Sequence, residues 1–327
     1  WIGKYLTDKT RSGLVHFMFT RGLLREKLQL VSEKALASGA LLSLKSEECF
    51  MKEGNIYVQL RKLEKLEEKM KATRKQGEEK RNPFLPPEED LFVCEMTPSH
   101  VVVLNKFAVL NEHGLIITRE FVEQTRPLLR EDFYAIHLTL QEANNFVFFN
   151  SGKIAGASQA HKHIQFLPLP LSFDTQSQKE PLDTPISPLF DEEIDYSHFG
   201  APFGTLRFFD FAHVVRTYAE YDIDLESDNT VKEYADRDYE TYCTMLEKLG
   251  QLLPPQWKGE ESCGPYNFLM TRKWMMIVPR SEEFFRGISV NSIGFAGGIL
   301  VKNQEQLQMV QDYGFVPLLK ELTYPLT

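Results

Sequence analysis

Asn150-Ser-Gly-Lys-Ile-Ala-Gly-Ala-Ser-Gln-Ala-His-Lys-His-Ile-Gln165 is the stretch on which the reading of this 327-residue chain turns. It follows Phe146-Val-Phe-Phe149, an apolar run that predicts a buried strand. Gly152, Gly156 and their small neighbours then predict a tight loop. Beyond it, Ala160-His-Lys-His-Ile-Gln-Phe-Leu167 alternates as a second strand would. Side chains on a strand alternate faces, so His161, His163 and Gln165 are expected on one face and Ile164 and Phe166 on the other.

That face suits phosphate chemistry. Small residues at Gly152, Gly156, Ala157 and Ser158 let backbone N–H groups approach an anion. The Ser158 hydroxyl and the Gln159 and Gln165 amides can donate to phosphate oxygens. A neutral imidazole is a nucleophile as well as a base. Together these point to phosphoryl or nucleotidyl transfer through a phosphoramidate on histidine. A His-x-His pair on a strand is also a common metal-binding or chance arrangement, and the pair alone leaves those readings open. Gln165 in register and the glycine loop upstream favour the nucleophile.

The net charge of −9 and a pI near 5.5 argue against general nucleic-acid affinity, so local cations must serve any polyanionic substrate. No apolar run is long enough to cross a bilayer. Cys49, Cys94, Cys243 and Cys263 are scattered without C-x-x-C spacing, which fits free thiols in a reducing, cytoplasmic setting. There is no secretory pattern, and the start at Trp1 leaves open a preceding segment.

Along the chain, Trp1 to Gly39 reads as helical, with Leu24, Leu28, Val31 and Leu36 near helical spacing and Gly39 as C-cap. Ile56 to Leu60 reads as a strand. Leu63 to Arg81, dense in Lys and Glu, reads as a solvated helix or loop. His100 to Asn105 and Leu115 to Thr118 are strand-like. Arg126 to Asn145 forms an amphipathic helix with Leu129, Phe133, Ile136 and Leu140 on one face. Pro168 to Pro188 is a connector, and the two halves expected are 1–180, carrying the His-x-His-x-Gln motif, and 181–327, completing the substrate site. Leu206 to Val215 is strand-like, Val231 to Leu253 helical, and Tyr266 to Thr271 with Trp274 to Pro279 a hairpin across Arg272-Lys273. This succession predicts an α+β fold with a mainly antiparallel sheet and flanking helices.

Gly156-Ala-Ser-Gln-Ala-His-Lys-His-Ile-Gln165 resembles the His-x-His-x-Gln motif of the transferase branch of the histidine-triad superfamily, to which galactose-1-phosphate uridylyltransferase belongs. The chain is more similar to diadenosine tetraphosphate phosphorylases, or ATP adenylyltransferases. The same likeness extends to Asn82-Pro-Phe-Leu-Pro, Glu89-Asp-Leu-Phe, Leu104-Asn-Lys-Phe, His113-Gly-Leu-Ile-Ile-Thr-Arg-Glu-Phe, Tyr266-Asn-Phe-Leu-Met-Thr, Trp274 to Arg280 and Ser289-Val-Asn-Ser-Ile-Gly-Phe-Ala-Gly. It runs from about Ser38 to near the C-terminus. Ala160 stands where the family usually has proline, which removes no reacting group.

The resemblance implies a histidine-triad-like fold of two related halves, the second without the histidine motif. It implies phosphorolysis of diadenosine tetraphosphate to ATP and ADP, with His163 as nucleophile, His161 orienting it and Gln165 holding phosphate oxygens. It further implies Asn105 at the ribose, His113 supporting the site, and Asn150 at the substrate. Ser151, Gly152, Gly156, Ser158 and Gln159 are expected along the phosphates, with Lys106, Arg272 and Lys273 as candidate phosphate cations. A divalent cation such as Mg is expected to accompany the polyphosphate, with no organic cofactor and no resident metal ligands. Nucleotides and phosphate are the expected partners, to the exclusion of nucleic acid and membrane. The rivals are a hydrolase of the same superfamily, a nonenzymatic nucleotide sensor and a metal carrier using His161 and His163. Gln165 argues against hydrolysis, because glutamine has no useful pKa with which to serve water.

Overall fold

The computed structural model describes residues 19–44, 46–63, 82–171, 181–192, 194–218, 228–257 and 263–326. The expected helical start before residue 19, the Lys/Glu-rich 64–81 and the connector's 172–180 lie outside the described residues. The elements in order are α1 (Leu24–Ser38), β1 (Ser46–Glu53), β2 (Ile56–Leu63), β3 (Phe92–Thr97), β4 (His100–Leu104), β5 (Gly114–Thr118) and α2 (Arg130–Glu142). Next come β6 (Asn145–Asn150), β7 (His163–Pro168), β8 (Val214–Thr217), α3 (Asp228–Leu252), β9 (Tyr266–Met270) and β10 (Trp274–Pro279). The chain closes with β11 (Phe284–Phe285), β12 (Ile288–Ser289), α4 (Ser292–Phe295), β13 (Gly298–Val301), α5 (Gln304–Tyr313) and α6 (Phe315–Lys320).

Among the described residues eight strands form one sheet in the order β3-β4-β5-β7-β6-β9-β10-β8, and every pairing in it is antiparallel. The order contains a repeat. The run β5-α2-β6-β7 lies in the sheet as β5-β7-β6, and β8-α3-β9-β10 lies as β8-β10-β9. The two copies meet edge to edge along β6 and β9, with Val147 opposite Met270 and Asn150 opposite Asn267. In the first copy a long loop joins β6 to β7. In the second, β9 turns directly into β10 through Thr271 to Lys273, as the hairpin reading expected.

The central strands are unbroken apolar runs because both faces of the sheet are covered. On β6, Val147 and Phe149 pack with α1, α2 and α3, whereas Phe146 and Phe148 pack on the opposite face. That second face is capped by the small sheet β1-β2-β13, in which β13 runs parallel to β2, and by α5 and α6. His163 and Gln165 share the Phe148 face, since Gln165 pairs with Phe148, while Ile164 and Phe166 join the helical side. The alternation expected of this strand is therefore present.

Several boundaries differ from the sequence reading. His161 precedes β7 and makes an isolated bridge to Glu123. The helix expected from Arg126 begins at Arg130, after Pro127, and Leu129 at its cap is 53% exposed. Residues 206–213 are not a strand. They fold around buried His213, which accepts from the Leu206 N–H at 2.8 Å and bonds the Phe211 carbonyl at 2.8 Å. On α1 the buried positions are Leu24, Leu28 and Ala35, Leu36 is exposed, and Gly39 ends the helix in the left-handed conformation at φ 79°.

Candidate active site

His163 opens β7 and is 3% exposed. Its Nδ1 lies 2.8 Å from the His161 carbonyl oxygen. A carbonyl only accepts, so Nδ1 carries the ring proton and Nε2 keeps its lone pair. Burial pushes the imidazole down to about 4; the bond to the His161 carbonyl opposes this and the neighbouring His161 adds to it. At neutral pH the ring is therefore an uncharged imidazole with one free nitrogen.

His161 has no nitrogen to spare. Its Nε2 donates to the Thr118 carbonyl at 2.9 Å and lies 2.8 Å from the Thr118 hydroxyl, which itself donates to Glu120 O. Its Nδ1 then accepts from Asn82 Nδ2 at 2.9 Å. Phe84 meets both rings, at 5.6 Å from His161 and 5.5 Å from His163. His161 serves the site through its backbone carbonyl and is itself fixed by Asn82 and Thr118.

Gln165 ends a relay with one consistent set of donors. Asn105 Oδ1 accepts from the Phe107 N–H at 3.1 Å, so Asn105 Nδ2 donates to His113 Nδ1 at 3.2 Å. His113 then carries its proton on Nε2 and donates to Gln165 Oε1 at 2.9 Å. Burial lowers His113 to about 4, against its bond to Gln165 and with a small push from His163. The chain fixes the Gln165 carboxamide with its NH2 left for the cavity.

Two cavities, about 220 and 130 Å³, meet here and share Asn105, Phe107, Ser158 and Gln165. The smaller is walled by Phe84, Leu91, Val103 and Leu115 and reaches His163, Gln159 and Lys106. The larger is bounded by Arg61, His113, Gly156 and Asn291. Lys106 stands at the rim with its Nζ held by both Glu88 oxygens at 2.8 Å.

The loop works differently from the sequence expectation. The N–H groups of Gly156 and Ala157 turn back on the carbonyls of Lys153 and Gly152, so they are not anion donors. Gly156 is required by contact: at φ 88° a Cβ would lie 2.8 Å from Asn291 Cβ and 2.9 Å from Val290 O. Ser151, Gly152 and Asn150 line neither cavity, because they lie under the loop; the Ser151 N–H bonds Tyr266 O at 2.9 Å. Asn150 is wholly buried, and its Oδ1 accepts from Asn267 Nδ2 at 2.8 Å, Ser292 N at 3.0 Å and Ser292 Oγ at 2.7 Å. Asn267 Oδ1 is gripped in turn by Arg280 at 2.6 Å. Asn150 Nδ2 has no partner among the described residues, and its side chain shares the sheet face of His163.

Lys273 and Arg272 are corrected. The β6–β9 register puts their turn beside Asn145, at the far end of β7 from His163. Five residue steps along β7 separate those ends, roughly 17 Å. Lys273 pairs with Asp183 at 3.2 Å, and Arg272 donates to the Leu140 and Gln141 carbonyls. Sequence reasoning missed the buried roles of Gln124, Asp132, Lys162 and His100. Gln124 bonds the His163 backbone, and Asp132 receives Lys162 Nζ at 2.5 Å and His100 Nε2 at 2.9 Å beneath the motif. Thr118 and Asn82 were visible only as members of longer matching stretches.

The profile described as the Ap4A phosphorylase N-terminal domain matches residues 15–192, and that of the ATP adenylyltransferase C-terminal domain matches 207–325. The chain belongs to the Ap4A phosphorylase, or ATP adenylyltransferase, family. It is a nucleotidyltransferase. Two Saccharomyces cerevisiae proteins are similar along most of this adenylyltransferase. "Protein APA1" is 29% identical over 265 residues, 74% of this chain and 75% of that one. "Diadenosine 5',5'''-P1,P4-tetraphosphate phosphorylase 2" is 29% identical over 253 residues, 69% of this chain and 70% of that one. The solved yeast Ap4A phosphorylase Apa2 in complex with Ap4A has the same fold, with a TM-score of 0.74 at 23% identity over 95% of this chain and 100% of that one.

Among the described residues of this adenylyltransferase, no three His, Cys, Asp or Glu side chains converge as a metal site, and no helix is long and apolar enough to cross a membrane. Glu88, the acidic group on the histidine cavity, is already neutralised by Lys106. The four cysteines carry no disulfide.

Proposed function

We propose that this nucleotidyltransferase splits diadenosine tetraphosphate with inorganic phosphate, giving ATP and ADP, through an adenylyl group carried on His163. The observation that carries the reading is the His163 ring itself: Nδ1–H is committed to the His161 carbonyl, Nε2 is unprotonated, and burial holds the ring neutral. The substrate class rests on the family and on the printed names of its yeast relatives.

In the first step the Nε2 lone pair forms a bond to an α-phosphorus and the P–O bond to the triphosphate breaks, releasing ATP. The Nδ1 proton stays in place, so the ring becomes an adenylated imidazolium whose charge faces the His161 carbonyl. In the second step a phosphate oxygen attacks the same phosphorus, the P–N bond breaks, and ADP leaves. His163 is regenerated with its lone pair. The Gln165 NH2, oriented by His113, suits a nonbridging oxygen on which charge shifts, and Ser158 at the junction of the cavities is placed to assist. A divalent cation, where one takes part, arrives on the polyphosphate. Gln165 cannot move protons at neutral pH, which favours phosphate over water as acceptor.

Incubation with labelled diadenosine tetraphosphate tests the reading. With phosphate, ATP and ADP appear; without it, one AMP remains on the peptide containing His163, acid-labile and alkali-stable. Label on a carboxylate or lysine, or turnover without phosphate at the same rate, overturns it.

A further inference from the structure

The sheet has a missing rung beside the proposed nucleophile. The β6–β7 ladder is intact from Asn145↔Pro168 to Phe148↔Gln165, and the same register carried on would pair Phe149 with Ile164 and then Asn150 with His163. There the strands part to make room for the loop. A backbone N–H and carbonyl left unpaired in so dry a place would each be costly. The Gln124 side chain fills the gap. It is 2% exposed, and its Oε1 accepts from the His163 N–H at 2.7 Å. Its Nε2 donates to the Asn150 carbonyl at 2.8 Å and to the His163 carbonyl at 3.2 Å. The Gln124 backbone N–H is itself tied to Ala160 O at 2.8 Å, so the side chain is presented from an anchored segment.

We infer that Gln124 is a positioning residue for the reaction: its carboxamide replaces the absent β6–β7 rung and holds the His163 backbone against the base of the loop. A carboxamide alone among side chains carries the acceptor and paired donors that an N–H, its own carbonyl and a facing carbonyl require. The bonds engage both strands at the point of divergence, so the ring's distance to the phosphorus is set here. A displacement near 1 Å at a reacting atom costs on the order of 10²-fold in rate. The inference rests on the reading of His163 as nucleophile.

The test compares Gln124→Met, which keeps length and loses every bond, with Gln124→Glu, which keeps the acceptor for the His163 N–H. Each is assayed for kcat, for KM and for AMP affinity by calorimetry. The His163 ring is followed by ¹⁵N NMR. For Gln124→Met the expected result is a kcat loss of about 10²-fold with KM and AMP affinity within about threefold, and a His163 ring signal broadened between tautomers. Gln124→Glu, whose second oxygen would face the Asn150 and His163 carbonyls with nothing to donate, should lose at least as much. A kcat for Gln124→Met within about twofold of the parent, or equal losses in kcat and AMP affinity, overturns the inference. A sharp, unaltered ring signal in Gln124→Glu alongside parental kcat in both variants does the same. If the parent forms the AMP adduct on His163 while these variants remain fully active, only the role of Gln124 falls.

Discussion

Replacing His113 with leucine should disable Gln165 without touching the phosphate. In the structure His113 is 7% and Gln165 8% exposed, and the His113 Nε2–H donates to Gln165 Oε1 at 2.9 Å. His113→Leu leaves that oxygen, and Asn105 Nδ2 behind it, without partners. A buried unsatisfied group costs about 1–3 kcal/mol. With that donor gone the amide is no longer held with its NH2 toward the phosphate, and the fixed donors are lost. A donor to developing charge is worth about 2.7–4 kcal/mol, or about 10²–10³-fold in kcat. The expected loss is therefore about 10²-fold in kcat with KM little changed. The assay is a double-mutant cycle on steady-state phosphorolysis with Gln165→Leu as the second arm. If His113 acts through Gln165, the double variant is within about threefold of Gln165→Leu alone. Effects that multiply in full would refute the relay and give His113 a separate role, such as contact with the nucleotide through the larger cavity.

His163→Ala should lose turnover by several orders of magnitude while nucleotide affinity stays within about tenfold by calorimetry. Gln165→His should raise the AMP-to-ADP product ratio at saturating phosphate, because an imidazole can assist water where the amide cannot. Lys162→Met strips Asp132 of its 2.5 Å partner and should destabilise the fold by about 3–5 kcal/mol in denaturant titration, with little change in KM. Stability should also fall with acid. His113, His163 and His213 are each lowered to about 4 by burial, so the unfolded chain binds more protons between about pH 6.5 and 4. Their stabilising contribution is whole above the unfolded value and is lost as pH falls, by up to about 1.4 kcal/mol per pH unit for each, readable from chemical denaturation at pH 7 and pH 5.

Local pattern carried the motif because each part of it has local causes. The apolar run before Asn150, the glycines and the alternation after Ala160 imply strand, loop and strand, and β6 and β7 lie there. The pairing of His163 Nδ1 with the carbonyl two residues back is also local, and it accords with the orienting role that the resemblance implied for His161. Contacts across the sheet were not. Asn105 and His113 stand far from Gln165 in sequence, yet β5 pairs with β7 and brings them together. Gln124 carries no pattern of its own, since its role exists only where two strands part. Lys273 misled because a cation at a hairpin tip looks alike at either end of a sheet, and only the β6–β9 register says which end it occupies.

The edge-to-edge joining of β6 and β9 gives the molecule the character of a dimer folded from one chain. In a two-chain assembly such a contact would dissociate on dilution, and each copy would need its own chemistry to remain useful. Tethering makes association intramolecular, so the brace that Asn267, Ser292 and Arg280 supply beneath Asn150 is present at any protein concentration. It also frees the second copy from symmetry. There the short Thr271–Lys273 turn stands where the first copy has its loop, and the copy serves as a wall for its neighbour. If His163 reacts as proposed, two duties that a symmetric pair must perform twice are separated, one copy presenting the histidine and the other bracing Asn150 at the base of the loop.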